Sequence, residues 1–211
     1  MMLPKCFEGV GGVMFRVLEC VWAQHDHWTV GLAALIWMVG SMAFFLALAR
    51  AQECSKIRRN GWLAAAGAAG GLGVWATHFV AMLAYDGGVA VAYDATLTVF
   101  SAAVSVVAFW IAARVLGSFG LKQCLLAGGV LAIGVTAMHF TGMAALEAAA
   151  RVQYDLAPVV LGVVLSFALF SASFLAFRRL GGFARVVAGA APAILAVCIL
   201  HFNGMASTLL I

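Results

Sequence analysis

The chain has 211 residues, of which 65% are hydrophobic and only 9% are charged, with a mean hydropathy of +1.09. A soluble domain carries about 25% charged residues, so this composition predicts an integral membrane protein in contact with the lipid bilayer. The small formal net charge of +4 gives no reason to expect nucleic acid as a partner. Only three prolines, many small and aliphatic residues and no period-2 pattern favour helices over a β-barrel.

Residues 1–27 form a separate N-terminal segment. Its apolar stretch is short and is interrupted by Arg16 and Glu19, which argues against a cleavable signal peptide. Apolar side chains fall on one helical face of this segment, namely Val13, Met14, Val17, Leu18, Val21 and Trp22. This pattern predicts a short amphipathic helix that lies in the membrane interface.

Six apolar runs follow, and each reaches about the 20 residues that a helix needs to cross a bilayer. They cover residues 28–49, 61–85, 95–117, 123–146, 156–177 and 184–210. The sequence therefore predicts an all-α membrane protein, in which six transmembrane helices form one domain over residues 28–211. We expect no soluble output module in this chain.

Basic residues are concentrated in alternate connections between the predicted helices. Nine of the twelve lysines and arginines lie there, namely Arg50, Lys56, Arg58, Arg59, Arg114, Lys122, Arg178, Arg179 and Arg185. The positive-inside rule places these connections in the cytoplasm and both termini outside, which in a bacterium is the periplasm. In a bacterium, the predicted location is therefore the cytoplasmic membrane.

A motif of the form His-Phe-x-x-Met occurs three times, near the ends of the second, fourth and sixth predicted helices. It reads WATHFVAMLA at 75–84, TAMHFTGMAA at 136–145 and CILHFNGMAS at 198–207. Asp26, Asp94 and Asp155 stand at the expected starts of the odd-numbered helices, as N-caps would. A role of these aspartates in tuning the nearby histidines is the alternative. The chain is thus predicted to repeat one helical hairpin three times.

The motif spacing brings one histidine and one methionine to the same helix face, since residues four apart are neighbours there. These pairs are His78–Met82, His139–Met143 and His201–Met205, with Trp75, Thr136 and Cys198 one turn earlier. They lie about 12 Å below the outer loops, because each helical residue rises about 1.5 Å. Equivalent groups at one depth can converge if three hairpins surround an axis. Glycines on the even-numbered helices predict the close packing that this arrangement needs.

Imidazole and thioether groups are the ligand set of copper, because methionine suits Cu(I) and histidine binds Cu(I) or Cu(II). Zinc rarely takes methionine, whereas calcium and magnesium require oxygen ligands. Haem is the alternative cofactor, since histidine and methionine are common axial ligands. The six candidate ligands exceed those of one Cu(I) ion, so either some of them support the others or two ions bind.

Three further side chains are candidate metal ligands. Met138 precedes His139 and points about 100° away from it around the helix, so it ranks below Met143. His25 and His27 lie before the first predicted helix, where they would cover the site or deliver metal to it. Solvated polar residues beside an interfacial helix are the alternative for these two. No catalytic residue is predicted, because the sequence shows no catalytic triad, phosphate loop or zinc-protease motif, and an enzyme is the less favoured class.

The block MHFTGMAAL at 138–146 resembles the motif of the MHYT family of bacterial membrane sensor domains. Weaker copies are LGVWATHFVAML at 72–83 and LHFNGMAS at 200–207, and the resemblance extends over about residues 24–211. It implies a copper-binding domain that senses a diatomic gas such as oxygen, carbon monoxide or nitric oxide. Carried over position by position, the implied ligands are His78, Met82, Met138, His139, Met143, His201 and Met205.

The sequence departs from the family pattern at Thr77 and Leu200, which replace methionine, and at Ala81, which replaces glycine. The resemblance also implies a seventh helix leading to GGDEF, EAL or histidine-kinase output domains, and no such helix precedes Ile211. We therefore expect a stand-alone form that signals through a separate partner protein. The alternative functions are copper handling or delivery to another membrane enzyme, and a haem-binding or redox membrane protein.

Overall fold

Six long helices dominate the computed structural model of the chain, in which residues 12, 15–17, 22, 25–85, 92–117, 120–147 and 152–210 are described. The helices are α1 (His27–Glu53), α2 (Lys56–Leu83), α3 (Ala95–Val115), α4 (Leu121–Ala144), α5 (Leu156–Arg179) and α6 (Gly182–Ala206). All six are long and apolar enough to cross a membrane. The predicted all-α fold with six spans is therefore confirmed.

In the described part of the chain, four short strands that the sequence did not predict lie at the end of the molecule where the even-numbered helices finish. Two of them follow even-numbered helices and two precede odd-numbered helices. β1 (Ala92–Tyr93) pairs antiparallel with β2 (Leu146–Glu147), and β3 (Val152–Tyr154) pairs antiparallel with β4 (Thr208–Leu210). His25 forms an equivalent isolated bridge with Tyr85. Strands of two or three residues are too short to show an alternating pattern. β4 also explains why the last predicted run extends to residue 210, whereas α6 ends at Ala206.

The helices form a ring of three hairpins. Consecutive helices pack against each other, and a contact between α1 and α6 closes the ring. The even-numbered helices also contact one another across the centre. We call the end at which α2, α4 and α6 finish the site end, and the opposite end, with its lysines and arginines, the basic end.

Each odd-numbered helix begins at a capping aspartate. Backbone N–H groups of Thr29, Leu97 and Ala157 donate to the carboxylates of Asp26, Asp94 and Asp155 at 2.8, 2.7 and 3.0 Å. The predicted N-caps are therefore confirmed. Hydrogen bonds from Thr29, first of all from its hydroxyl, lower the pKa of Asp26. The pKa of Asp155 is lowered chiefly by its hydrogen bond with Arg16, at 2.7 Å.

The same aspartates join the two helices of each hairpin. Their backbone N–H groups donate to the carbonyl that ends the partner helix, at 2.9 Å in all three repeats, from Asp26 to Ala84, Asp94 to Ala145 and Asp155 to Ser207. Together with the β-bridge formed by the preceding residue, this hydrogen bond makes a two-residue strap across each hairpin. The straps hold the site end of α1 against α2, of α3 against α4, and of α5 against α6.

Aromatic contacts then join neighbouring hairpins at the site end. The residue before each capping aspartate places its ring against a phenylalanine of another hairpin. These pairs are Tyr93–Phe79, Tyr154–Phe140 and His25–Phe202, with ring centroids 5.4, 5.0 and 5.4 Å apart. Each phenylalanine directly follows one of the three motif histidines. The strap of one hairpin therefore contacts the residue next to the motif histidine of another hairpin.

Small residues allow the helices to approach closely, as predicted. A Cβ atom added at Gly71 of α2 would overlap the backbone of Val106 in α3, and Gly40 of α1 meets Gly73 of α2 at the level of their Cα atoms. In the space that Gly71 leaves, the Ser105 hydroxyl donates to its carbonyl at 2.9 Å. Toward the basic end, large buried rings from α1, α3 and α5 fill the interior, namely Trp37, Phe44, Phe45, Phe109, Phe170, Phe174 and Phe177.

The predicted interfacial helix in residues 1–27 is described at positions 12, 15–17 and 22, and all of them are helical. Phe15 and Trp22 expose 61% and 70% of their surface. Val13, Met14, Leu18 and Val21, which complete the predicted apolar face, lie outside the described residues.

The orientation of the ring remains a prediction that reporter fusions can check. Alkaline phosphatase fused after residue 55 or residue 118 should be inactive, because the positive-inside rule places both connections in the cytoplasm. Fusions after residue 88 or residue 149 should be active, since those connections lie at the site end. The reverse pattern would place the site end in the cytoplasm.

Candidate metal centre

Three histidines meet on the axis of the ring near the site end. His78 of α2, His139 of α4 and His201 of α6 expose only 3%, 1% and 7% of their surface. Their ring centroids are 4.8 Å apart for His78–His139, 5.5 Å for His78–His201 and 5.4 Å for His139–His201. The three-hairpin repeat thus brings together one histidine from each inner helix.

The histidines present their Nδ1 atoms to one another. The distance between Nδ1 atoms is 3.2 Å for His139 and His78 and 3.4 Å for His78 and His201. One nitrogen of each ring lies within 4.8 Å of those of the other two. A neutral imidazole has one N–H and one lone pair, and the Nδ1 atom of His78 can pair well with only one of its two neighbours, so at least one of the three Nδ1 atoms is left without a matching partner. A cation bound between rings that carry their protons on Nε2 would accept all three Nδ1 lone pairs at once.

Two glycines set the orientation of these rings. A Cβ atom added at Gly142 of α4 would overlap Nε2 of His78, and one added at Gly204 of α6 would overlap Nε2 of His139. The rings of His78 and His139 therefore lie flush against the backbone of the next inner helix, with Nδ1 turned toward the axis. The Nε2 atoms of all three histidines have no hydrogen-bond partner among the residues that the structure describes.

A small gap lies directly beneath the histidine rings. Its volume is about 10 Å³, close to the smallest space that holds one water molecule. Its other walls repeat threefold, with a valine four residues before each histidine and Thr77, Met138 and Leu200 one residue before, the valines being Val74, Val135 and Val197. The residues expected one turn below each histidine, Trp75, Thr136 and Cys198, do not line this gap. The space is ion-sized and mostly apolar.

The three motif methionines form a separate cluster. Met82, Met143 and Met205 are 3%, 2% and 4% exposed and contact one another, with Tyr85, Tyr93 and Leu146 packed around them. Four residues of helix separate each methionine from its histidine, a rise of about 6 Å. The six side chains therefore occupy two layers, with nitrogen atoms inside and sulfur atoms toward the site end.

The other candidate ligands occupy three different surroundings. Met138 is 1% exposed and lines the gap, although it points away from the face of His139 that carries Met143. His25 is 6% exposed, and its ring centroid lies 6.3 Å from that of His201. His27 is exposed, and its ring contacts Trp22 at 5.2 Å between centroids. The structure brings Met138 and His25 to the histidine triad and does not bring His27 there.

Gly142 and Gly204 were missed as site residues by sequence reasoning, which assigned them to helix packing. The signal was present, because two of the three motifs read His-Phe-x-Gly-Met and place glycine three residues after histidine. Ala81 takes that position in the first motif.

Fold and site together define a class of protein, a six-helix membrane domain of three hairpins with a buried imidazole triad on its axis. The model of the MHYT family, described as "Bacterial signalling protein N terminal repeat", matches residues 71–129 and 133–190, more than half of the chain. The chain therefore belongs to the MHYT family of bacterial signalling domains, and it is a multi-pass membrane protein.

Curated relatives are signalling proteins. Over 195 residues the chain is 30% identical to an uncharacterized signaling protein of Caulobacter vibrioides, covering 92% of this chain and 24% of that protein. Over 200 residues it is 33% identical to the cyclic di-GMP phosphodiesterase NbdA of Pseudomonas aeruginosa, covering 89% and 25%. Over 157 residues it is 33% identical to the bifunctional diguanylate cyclase/cyclic di-GMP phosphodiesterase MucR of the same species, covering 69% and 22%.

The chain spans about a quarter of the length of these relatives. No solved structure matches the chain at a significant level.

The glycine contact can be tested by a double-mutant cycle. Gly142→Ala should destabilise the protein by about 1–3 kcal/mol, because the added methyl group overlaps the His78 ring. In a protein that already carries His78→Ala, the Gly142→Ala substitution should cost much less stability, since the methyl group then has room. Thermal unfolding in detergent measures each variant. Gly129→Ala on the same helix is the control, because its added Cβ meets only Phe167 at an ordinary 3.7 Å. Purely additive losses would contradict the contact.

Proposed function

We propose that this chain is the sensory membrane domain of a bacterial signalling system, and that its histidine triad holds a copper ion. The observation that carries the proposal is the convergence of three Nδ1 atoms, 3.2 and 3.4 Å apart along the His139–His78–His201 series. A shared cation would satisfy lone pairs that are brought this close in an apolar interior. His78, His139 and His201 would hold it, and the family membership supports the signalling role.

Copper agrees best with the donor atoms. Three imidazole nitrogens suit Cu(I) or Cu(II), and the thioether layer of Met82, Met143 and Met205 is a soft environment that favours Cu(I). Zinc binds imidazole equally well but gains little from thioethers. The described part of the chain offers no carboxylate within the cluster of possible ligands, which favours a soft ion over a hard one.

Haem is less well supported than an ion. The gap among the rings measures about 10 Å³, whereas pockets for organic ligands are on the order of 300 Å³ or larger. A porphyrin would have to separate α2, α4 and α6, whose close contact depends on Gly142 and Gly204. The structure thus supports an ion at this place, and haem remains the alternative cofactor.

A sensor must bind its signal molecule, so the proposed metal site needs room for a ligand that does not come from the protein. His78, His139 and His201 would hold the copper ion through three nitrogen atoms, and the ion would supply the binding place for oxygen, carbon monoxide or nitric oxide. Because the three rings belong to three different hairpins, a change of ligand at the ion would alter how the hairpins pack against each other. The names of two relatives include cyclic di-GMP enzymes, and we propose an enzyme of this kind as the partner that receives the signal.

Copper handling is the second candidate function. The sulfur layer between the triad and the site end would favour passage of Cu(I) from outside, and His25 stands beside it. Transporters usually bind their substrate near the bilayer midplane, however, and the triad lies toward one end. Below the gap the interior is filled with large apolar side chains. These features favour retention of the ion over transport through the ring.

Metal analysis of the detergent-purified protein tests the cofactor. We expect about one copper ion per chain, and His139→Ala should lose it because His139 lies at 1% exposure in the triad. The control is His27→Ala, since His27 is exposed and contacts Trp22. It should retain the metal. Equal copper in the wild-type protein and the His139→Ala variant would overturn the site, and a Soret band would establish haem instead.

Carbon monoxide distinguishes a sensor from a copper carrier. The reduced wild-type protein should bind the gas and show an infrared C–O stretching band, because a three-nitrogen site leaves a coordination position open. The band should be absent from the His139→Ala variant. Copper that is retained but binds no carbon monoxide would favour the handling function.

A further inference from the structure

Two of the positions at which the three hairpins differ concern His201, one by the rotation around the axis and one by direct proximity. The first is the position three residues after each histidine. Gly142 receives the ring of His78, and Gly204 receives the ring of His139. The same rotation around the axis assigns the ring of His201 to α2, where the corresponding residue is Ala81. His201 is thus the one histidine of the triad whose neighbouring helix carries a methyl group in place of glycine.

The position of His201 agrees with this difference. Its ring centroid is 5.5 and 5.4 Å from those of His78 and His139, which are only 4.8 Å from each other. It is also the most exposed of the three, at 7% against 3% and 1%. Two histidines are therefore seated on glycine, and the third is held farther from the centre.

The second such position is that of the residue before the capping aspartate. Tyr93 and Tyr154 take this position in the second and third hairpins, and His25 takes it in the first. All three rings contact the equivalent phenylalanine, but only His25 adds an imidazole. Its ring lies 6.3 Å from that of His201 at an interplanar angle of 77°. A second nitrogen donor, the imidazole of His25, therefore lies next to His201, the histidine that is not supported by a glycine.

We propose that His201 is the exchangeable ligand of the triad, and that His25 is the nitrogen donor with which it exchanges. This inference rests on the proposed copper function. His78 and His139 form the permanent pair, while His201 moves between the axis and His25. His25 precedes α1 and His201 belongs to α6, so the exchange takes place where the ring of helices closes. The triad thereby gains one route for metal release and one contact between helices that depends on its occupancy.

Copper release to a chelator tests this role of His25. His25→Tyr restores the residue of the other two repeats, and it should slow the transfer of Cu(I) to bathocuproine disulfonate by about tenfold or more. The copper content is measured in parallel, so that the release rate is compared per bound copper ion. Tyr154→Phe is the matched control at the equivalent position and should release copper at the wild-type rate. Wild-type release from the His25→Tyr variant would overturn the proposal.

Ala81→Gly tests the other half of the inference. It removes the methyl group and should let His201 settle against α2, so that copper is released about tenfold more slowly and bound more tightly. Thermal unfolding checks that the variant is folded, since glycine in a helix costs about 1 kcal/mol. Faster release from a folded Ala81→Gly variant would contradict the assigned position of His201.

The metal-free protein gives an independent measurement. Ring-labelled histidine should show an exchange-broadened signal for His201 and sharp signals for His78 and His139, and Ala81→Gly should sharpen the first. Equal widths for all three would overturn the exchange. If the wild-type protein retains no copper, the proposed function and this inference fail together. If only His139→Ala loses copper and His25→Tyr behaves as the wild-type protein, the inference alone fails.

Discussion

The structure depends on the placement of three imidazoles in an apolar interior with their Nδ1 atoms facing one another. A buried polar atom without a hydrogen-bond partner costs a few kcal/mol, and the Nε2 atom of each ring has no partner among the described residues. The surrounding residues stabilise this arrangement by packing. Valines close the space below, methionines close it toward the site end, and glycines support two rings from the side. Under the proposed function, this point is the place that the copper ion would occupy.

Repetition is the means by which a short chain builds this centre. The motif histidines are 61 and 62 residues apart, and each one stands at the same distance from the carbonyl at which a strap fixes the end of its helix, from His78 to Ala84, His139 to Ala145 and His201 to Ser207. A helix that is fixed at its end in this way presents its preceding side chains at a fixed height and angle. Three copies of one hairpin around an axis therefore place three equivalent rings at one level. The geometry of the site follows from the local rules of a single hairpin.

Features set by local chemistry could be predicted from the sequence. The six spans follow from apolar length, the caps follow from the position of Asp26, Asp94 and Asp155, and the pairing of histidine with methionine follows from spacing. Features set by packing between hairpins could not be predicted. Helical spacing places His139 and Met143 on one face about 6 Å apart, but it does not show which side chains of the other hairpins contact each of them.

The same limit applies to the site residues that the sequence did not reveal. Whether Gly142 serves backbone packing or supports a ring depends on the neighbouring helix, which no local pattern identifies. The short strands could not be predicted for the same reason, since each of them pairs with a strand at the opposite end of its hairpin in the sequence. The asymmetry around His201 also depends on packing between hairpins, since Ala81 and His25 belong to the first hairpin and His201 belongs to the third.

The straps have a mechanical consequence. Because the hydrogen bonds of Asp26, Asp94 and Asp155 fix the two helices of each hairpin together at one end, the helices of a pair cannot slide past each other there. A hairpin fixed in this way would tilt as one unit about its fixed end, which lies close to the imidazoles. A helix of this length extends about 36 Å, so a tilt too small to disturb the centre becomes a displacement of several ångströms at the opposite membrane surface, on the order of the amplitude known for helix shifts in switching proteins.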